Sequence, residues 1–203
     1  MRITGYIAHS LFTYANNSAP NWEKKCADSF FSSFGGNADT DFGTRKEKVA
    51  LQICQNDFGN DAVLTNVGFI ISILYPWLGY SPDGFLFKNG EIILLECKCL
   101  KAGKTSDGLE FLRQLTFLEE KELCNFVLKK RCRFYSQIQL GLFICNLKKA
   151  KLVLYNDKVK LNEYVDVFLD IEYVKSFTVS LTHTYFNRCL PYLYSRRADL
   201  FES

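Results

Sequence analysis

Residues 79–99 read GYSPDGFLFKNGEIILLECKC. Asn89-Gly90 is the strongest hairpin signal in the chain, because a two-residue type I′ turn needs positive φ at both positions. Phe85–Phe87 then form one strand and Glu91–Cys99 the next. Side chains two apart on a strand leave from the same face. Glu96 and Lys98 therefore project together with Leu94, and Cys97 points the other way. That pair alone would suit a solvated edge. Asp83 changes the balance. It stands across the hairpin in a Ser-Pro-Asp-Gly turn, where Pro82 fixes one backbone angle and Gly84 tolerates conformations that others do not.

Asp83 and Glu96 supply hard oxygen ligands of the kind that Mg2+ or Mn2+ takes. The main-chain carbonyl of Cys97 is a further oxygen. A helix is predicted from about Thr44 to Phe58, with Ala50, Leu51, Cys54 and Phe58 along one face. Glu47 lies on that face, and a carboxylate there needs an explanation. Two readings stand: a Thr44–Glu47 capping box, and a metal ligand that completes the shell. Lys98 adds positive charge near a scissile phosphate or an attacking water. The set makes sense for phosphodiester hydrolysis. A bound metal lowers the pKa of water and neutralises phosphate oxygens, and a fixed cation stabilises the transition state.

The rest of the composition constrains partners weakly. The chain has 203 residues with 25 basic and 22 acidic side chains, a net charge of +3 that neither requires nor excludes nucleic acid. Basic residues gather at Lys98, Lys101 and Lys104, at Lys129, Lys130, Arg131 and Arg133, and at Lys148, Lys149 and Lys151. These are solvated turns or a phosphate-binding surface. Lys101 and Lys104 are placed to neutralise backbone phosphates. Arg45, in the first turn of the Glu47 helix, either holds phosphate or faces solvent. Ser81 either contacts phosphate or caps its turn. Eight cysteines without a C-x-x-C pair, and two histidines, argue against structural zinc. No secretory signal is evident, so the thiols are expected reduced and mostly buried in an intracellular setting, nucleus and cytoplasm not distinguished. The apolar stretch Val67–Leu78 is too short and interrupted to span a bilayer, and no membrane partner is expected.

Elsewhere, helices are predicted over 21–34, 108–123 and 133–145, and a loop over Gly35–Gly43. Val63, Val67, Phe69, Ile71 and Ile73 alternate as in a strand over 62–75. Strands are also expected at Lys151–Tyr155 and Val165–Ile171, with a helix from Val174 towards Tyr194 that ends at Pro191. Residues 1–20 carry no clear assignment. One domain over 1–203 is the expectation, with its core at about 42–171.

GYSPDG followed by LLECKC resembles the PD-(D/E)XK nuclease superfamily. More closely, it is similar to the YqaJ-type viral recombinase group, which is similar to phage lambda exonuclease. FGTRKEKVA, ending at Ala50, resembles the family's acidic helix, and FYSQIQ at 134–139 its aromatic and glutamine motif. The resemblance implies an α/β fold, a restriction-endonuclease-like core whose central mixed sheet is flanked by helices. It implies a Mg2+-dependent DNA exonuclease, with Asp83 and Glu96 as metal ligands, Lys98 as the catalytic lysine and Glu47 in the acidic site. Gln137 would be an active-site residue, and Gln139 and Tyr135 DNA-proximal. Duplex DNA with free ends would be the partner. A homo-oligomer is possible because some relatives form rings, though neither ring assembly nor strand polarity follows from these residues. Leu100 replaces a usual proline, and Phe134 a usual tyrosine. The alternatives are a catalytically weak or inactive nucleic-acid-binding module on the same fold, and an endonuclease with the same core. A cysteine hydrolase is disfavoured, since neither histidine has a recognisable nucleophile partner.

Overall fold

The structure is a computed structural model that describes residues 1–32 and 38–196, the side chains of 38–41 and 44 excepted. Two helices lead, α1 (Gly5–Tyr14) and α2 (Trp22–Phe30), the second capped by the Asn21 side chain accepting from Lys24 N–H. α3 (Ala38–Phe58) follows. It begins well before Thr44, so Thr44 lies inside the helix and the capping-box reading of Glu47 falls. Residues 38–43 of the expected loop are helical, and residues 35–37 lie outside the described residues.

The expected strand over 62–75 is two short ones, β1 (Val63–Thr65) and β2 (Ile70–Ile71), in different sheets. Ile73 is 92% exposed, so the alternation there does not mark a buried face. β2 pairs with β3 (Gly79–Tyr80). The hairpin β4 (Gly84–Lys88) and β5 (Glu91–Cys99) forms as the sequence indicates, with Asn89 and Gly90 at φ of 52° and 77°. A 3₁₀ turn (Lys101–Lys104) and α4 (Gly108–Gln114) come next. The helix expected to reach residue 123 stops at Gln114, and a second hairpin, β6 (Leu118–Glu122) and β7 (Asn125–Leu128), takes its place. Leu118 and Leu128 anchor that hairpin in the core, which overrides the helical preference of its Glu-Glu-Lys-Glu run.

α5 (Arg133–Cys145) spans the expected residues. β8 (Lys149–Asn156) and β9 (Leu161–Phe168) precede α6 (Ile171–Thr184). A π-helical turn (Tyr185–Cys189) joins α6 to α7 (Leu190–Ser195). Pro191 sits in the first turn of α7, where its missing N–H costs nothing, and so does not end the helical segment.

The main sheet has the order β1-β4-β5-β8-β9. β5 and β8 are parallel and the other neighbours antiparallel, so the sheet is mixed. Alternation along β5 separates two layers. Ile93, Leu95 and Cys97 pack with Ala50, Leu51 and Cys54 of α3. Leu94 packs with Ile138 and Leu142 of α5. A third cluster joins α1 and α2 to α6 and the π turn through Leu11, Cys26, Phe177, Leu181 and Cys189. All eight cysteines are free thiols, four of them buried. Among the described residues no helix is long and apolar enough to cross a membrane.

Candidate active site

Glu96 lies on the α5 side of β5 and is 1% exposed. A carboxylate at that depth needs donors on both oxygens. Lys98 Nζ and Gln137 Nε2 each donate to Oε1 at 2.5 Å, and the Tyr80 hydroxyl donates to Oε2 at 2.6 Å. Lys98 also donates to the Cys97 carbonyl at 3.1 Å. Its ammonium lies 5.2 Å from the centre of the Phe134 ring, which carries the Arg133 guanidinium at 4.9 Å. Asp83 reaches across the hairpin and accepts the Cys97 backbone N–H at 2.6 Å. The turn residues thus bring Asp83 to the two charged residues of β5.

The electrostatics follow from crowding in a buried space. Burial, with the charge of Glu96 next, pushes the Asp83 carboxyl up to about 8. Burial alone would lower Lys98, but the charges of Glu96 and Asp83 outweigh it, so its pKa is raised and it remains an ammonium. Burial raises the half-buried Glu47 carboxyl; Lys98 opposes that rise and Glu96 adds to it. Glu47 thus lies within reach of the cluster's field. It rises from α3, however, which packs on the opposite face of the sheet from Glu96 and Lys98. Among the described residues no three His, Cys, Asp or Glu side chains converge as a metal-binding group.

Of the other expected residues, Gln137 joins the cluster. Gln139 and Tyr135 turn away from it. Gln139 is fully buried, donating to the Phe168 carbonyl at 2.8 Å and accepting Asp170 N–H at 2.9 Å. The buried Tyr135 donates to Asp170 at 2.8 Å. Both are occupied in tying α5 to the start of α6, and neither is presented to a ligand at the cluster. Arg45, Ser81, Lys101 and Lys104 are exposed. Lys104 lies 3.8 Å from the centre of the Phe42 ring. Sequence reading missed Tyr80, since a buried tyrosine beside a turn carries no mark that separates it from core.

No protein-family model matches the chain, and no curated protein matches it significantly. Solved structures do. An alkaline exonuclease from Laribacter hongkongensis, LHK-Exo, superposes with a TM-score of 0.67 at 16% identity, covering 100% of this chain and 95% of its own. The fold is that of the PD-(D/E)XK nucleases. A phage-related exonuclease from Haemophilus somnus 129PT gives 0.61 at 11% identity, over 98% of this chain and 96% of its own. SOX, solved as a complex with DNA, gives 0.54 at 11% identity, over 93% and 67%.

Proposed function

We propose that this chain is a metal-dependent DNA nuclease, an exonuclease acting on ends of duplex DNA. The observation that carries the reading is the joining of Asp83, Glu96 and Lys98 by a hairpin and its preceding turn, with Gln137 closing over Glu96. A binding surface alone has no use for a buried carboxylate beside a part-buried one, since the two repel phosphate unless a cation bridges them. The likeness to LHK-Exo and to SOX with DNA supports DNA as partner, and GYSPDG with LLECKC supports the YqaJ-like branch.

The donor chemistry fits a hard divalent cation. Asp83, Glu96 and the Cys97 carbonyl are all oxygen donors, and Asp83 and Glu96 are close enough for the charge of one to raise the carboxyl of the other. Mg2+ commonly takes one or two carboxylates and keeps water and phosphate oxygens for the rest, so a third carboxylate is not required. Asp83, Glu96 and the Cys97 carbonyl would hold it, with Glu47 adding negative charge from the α3 side. When bound, the metal would supply an acidified water and charge neutralisation. Lys98 stays protonated, so it would orient a phosphate oxygen or the attacking water and stabilise developing charge rather than accept a proton. Gln137 would hold Glu96 in place. Ser81, Arg45, Lys101 and Lys104 are the side chains that this reading assigns to flanking phosphates.

The absence of a three-residue ligand group among the described residues is the observation that favours a second reading, a binding module without catalysis. One experiment separates the two. Linear and covalently closed circular duplexes are incubated with Mg2+ and either wild type or Lys98→Ala, after circular dichroism has shown both to be folded. Digestion of the linear substrate alone, lost in Lys98→Ala, is the expected result. Cutting of closed circles would make the chain an endonuclease. Binding without cleavage in Mg2+ or Mn2+ would leave the binding module.

A further inference from the structure

We propose that Tyr80 and Gly141 act together to position Glu96, Tyr80 by fixing one carboxylate oxygen and Gly141 by leaving room for the tyrosine ring. The inference rests on the nuclease reading above. Gln137 and Lys98 hold Oε1, which leaves Oε2 to Tyr80. A carboxylate held at both oxygens loses rotation about its last torsion, which is how supporting residues orient a metal ligand. Tyr80 is itself 1% exposed, and it precedes Asp83 by three residues.

Gly141 lies inside α5, where glycine is disfavoured relative to alanine. Packing supplies the reason for it. A Cβ at 141 would stand 2.5 Å from Tyr80 Cζ, 2.6 Å from Tyr80 Cε1 and 2.9 Å from Leu94 Cδ2. The ring has nowhere to retreat, because it is buried and tethered to Glu96. Gln137 and Gly141 are four residues apart and so share a helix face. α5 thereby controls both oxygens of Glu96: one through the glutamine at 137, the other through the missing side chain at 141. Tyr80 is buried and reaches Glu96 rather than the surface, so it is a positioning residue.

Tyr80→Phe tests this, since it keeps the ring and removes the hydroxyl. Two quantities are read: steady-state digestion of linear duplex, and calorimetric titration of the DNA-free protein with Mg2+ or Mn2+. The expected result is a fall in kcat of about 10–100-fold, with a comparable weakening of metal binding. KM for DNA stays near wild type, while the melting temperature falls by a few degrees, because the buried Oε2 loses its donor. Gly141→Ala lowers kcat in the same direction, and the double variant is scarcely worse than the worse single one, because both act through one carboxylate. Tyr80→Phe with wild-type kcat and metal affinity overturns the inference, as does full additivity of the two losses. A wild type that neither cuts DNA nor takes up the metal sinks the nuclease reading, and this inference with it. An active wild type matched by Tyr80→Phe sinks this inference alone.

Discussion

Asp83 is part-buried against the fully buried Glu96, and its carboxyl is pushed up to about 8 by burial and then by the Glu96 charge. The folded chain without metal therefore binds this proton more tightly than the unfolded chain, in which an aspartate titrates near 3.9. Linkage gives the sign. The stabilisation tied to this proton is present below about 4 and is lost as pH rises towards 8. Asp83→Asn keeps an oxygen that can accept from Cys97 N–H and removes the charge. In chelator, its melting temperature should exceed that of wild type at pH 9, and the gap should close as pH falls to 4. Added Mg2+ should narrow the gap at pH 9 by stabilising wild type alone. A variant that melts below wild type at pH 9 in chelator would show that burial and the Glu96 charge do not raise this carboxyl.

At the scale of elements, α5 shows why one motif divides between two tasks. Residues two apart on a helix leave in nearly opposite directions, and residues four apart leave together. Gln137 faces Glu96, whereas Tyr135 and Gln139 share the face that meets Asp170. Asp170 also caps α6, accepting from Tyr173 N–H, and pairs with Lys130. Asp170→Ala should cost about 0.5–2 kcal/mol, the usual range for a lost N-cap, read as a lower urea midpoint at pH 7. Lys130, the Tyr173 N–H and Tyr135 together hold the Asp170 carboxyl down to about 2. Its contribution is present above about 4 and is lost as pH falls towards 2, so variant and wild type should converge there. The β4–β5 hairpin and α5 were legible because turn chemistry and periodicity are local signals. So was the nearness of Asp83, Glu96 and Lys98. The placement of Gln139 and Tyr135 was not, since reading FYSQIQ as one motif ignores the helix geometry that separates alternate residues. The β6–β7 hairpin was hidden by a charged, helix-favouring run whose conformation is decided by Leu118 and Leu128 in a distant core.

Over the whole molecule, the N-terminal segment is drawn into the site's support. Ile3 donates to the Trp77 carbonyl at 2.8 Å and accepts Gly79 N–H at 3.0 Å, which places the start of α1 beside the strand that carries Tyr80. α1 then runs against α5. A Cβ at Gly5 would lie 2.8 Å from Gln137 Cγ and 3.6 Å from both its Cβ and its Cδ, so the clash falls on the middle of the side chain. Swinging the amide end cannot relieve it. Gly5→Ala should therefore move Gln137 off Glu96, although residue 5 is 91 positions away in sequence. A hydrogen bond to a charged group contributes about 1.5–3 kcal/mol, which corresponds to a loss of roughly tenfold or more in turnover if all of it is felt in the reaction. Gln137→Ala supplies the control. If Gly5 acts through Gln137, Gly5→Ala should lower kcat in wild type and change little in a Gln137→Ala background. Equal losses in both backgrounds would mean that α1 serves the site by another route, through the Ile3 clamp on the β3 strand rather than through the glutamine.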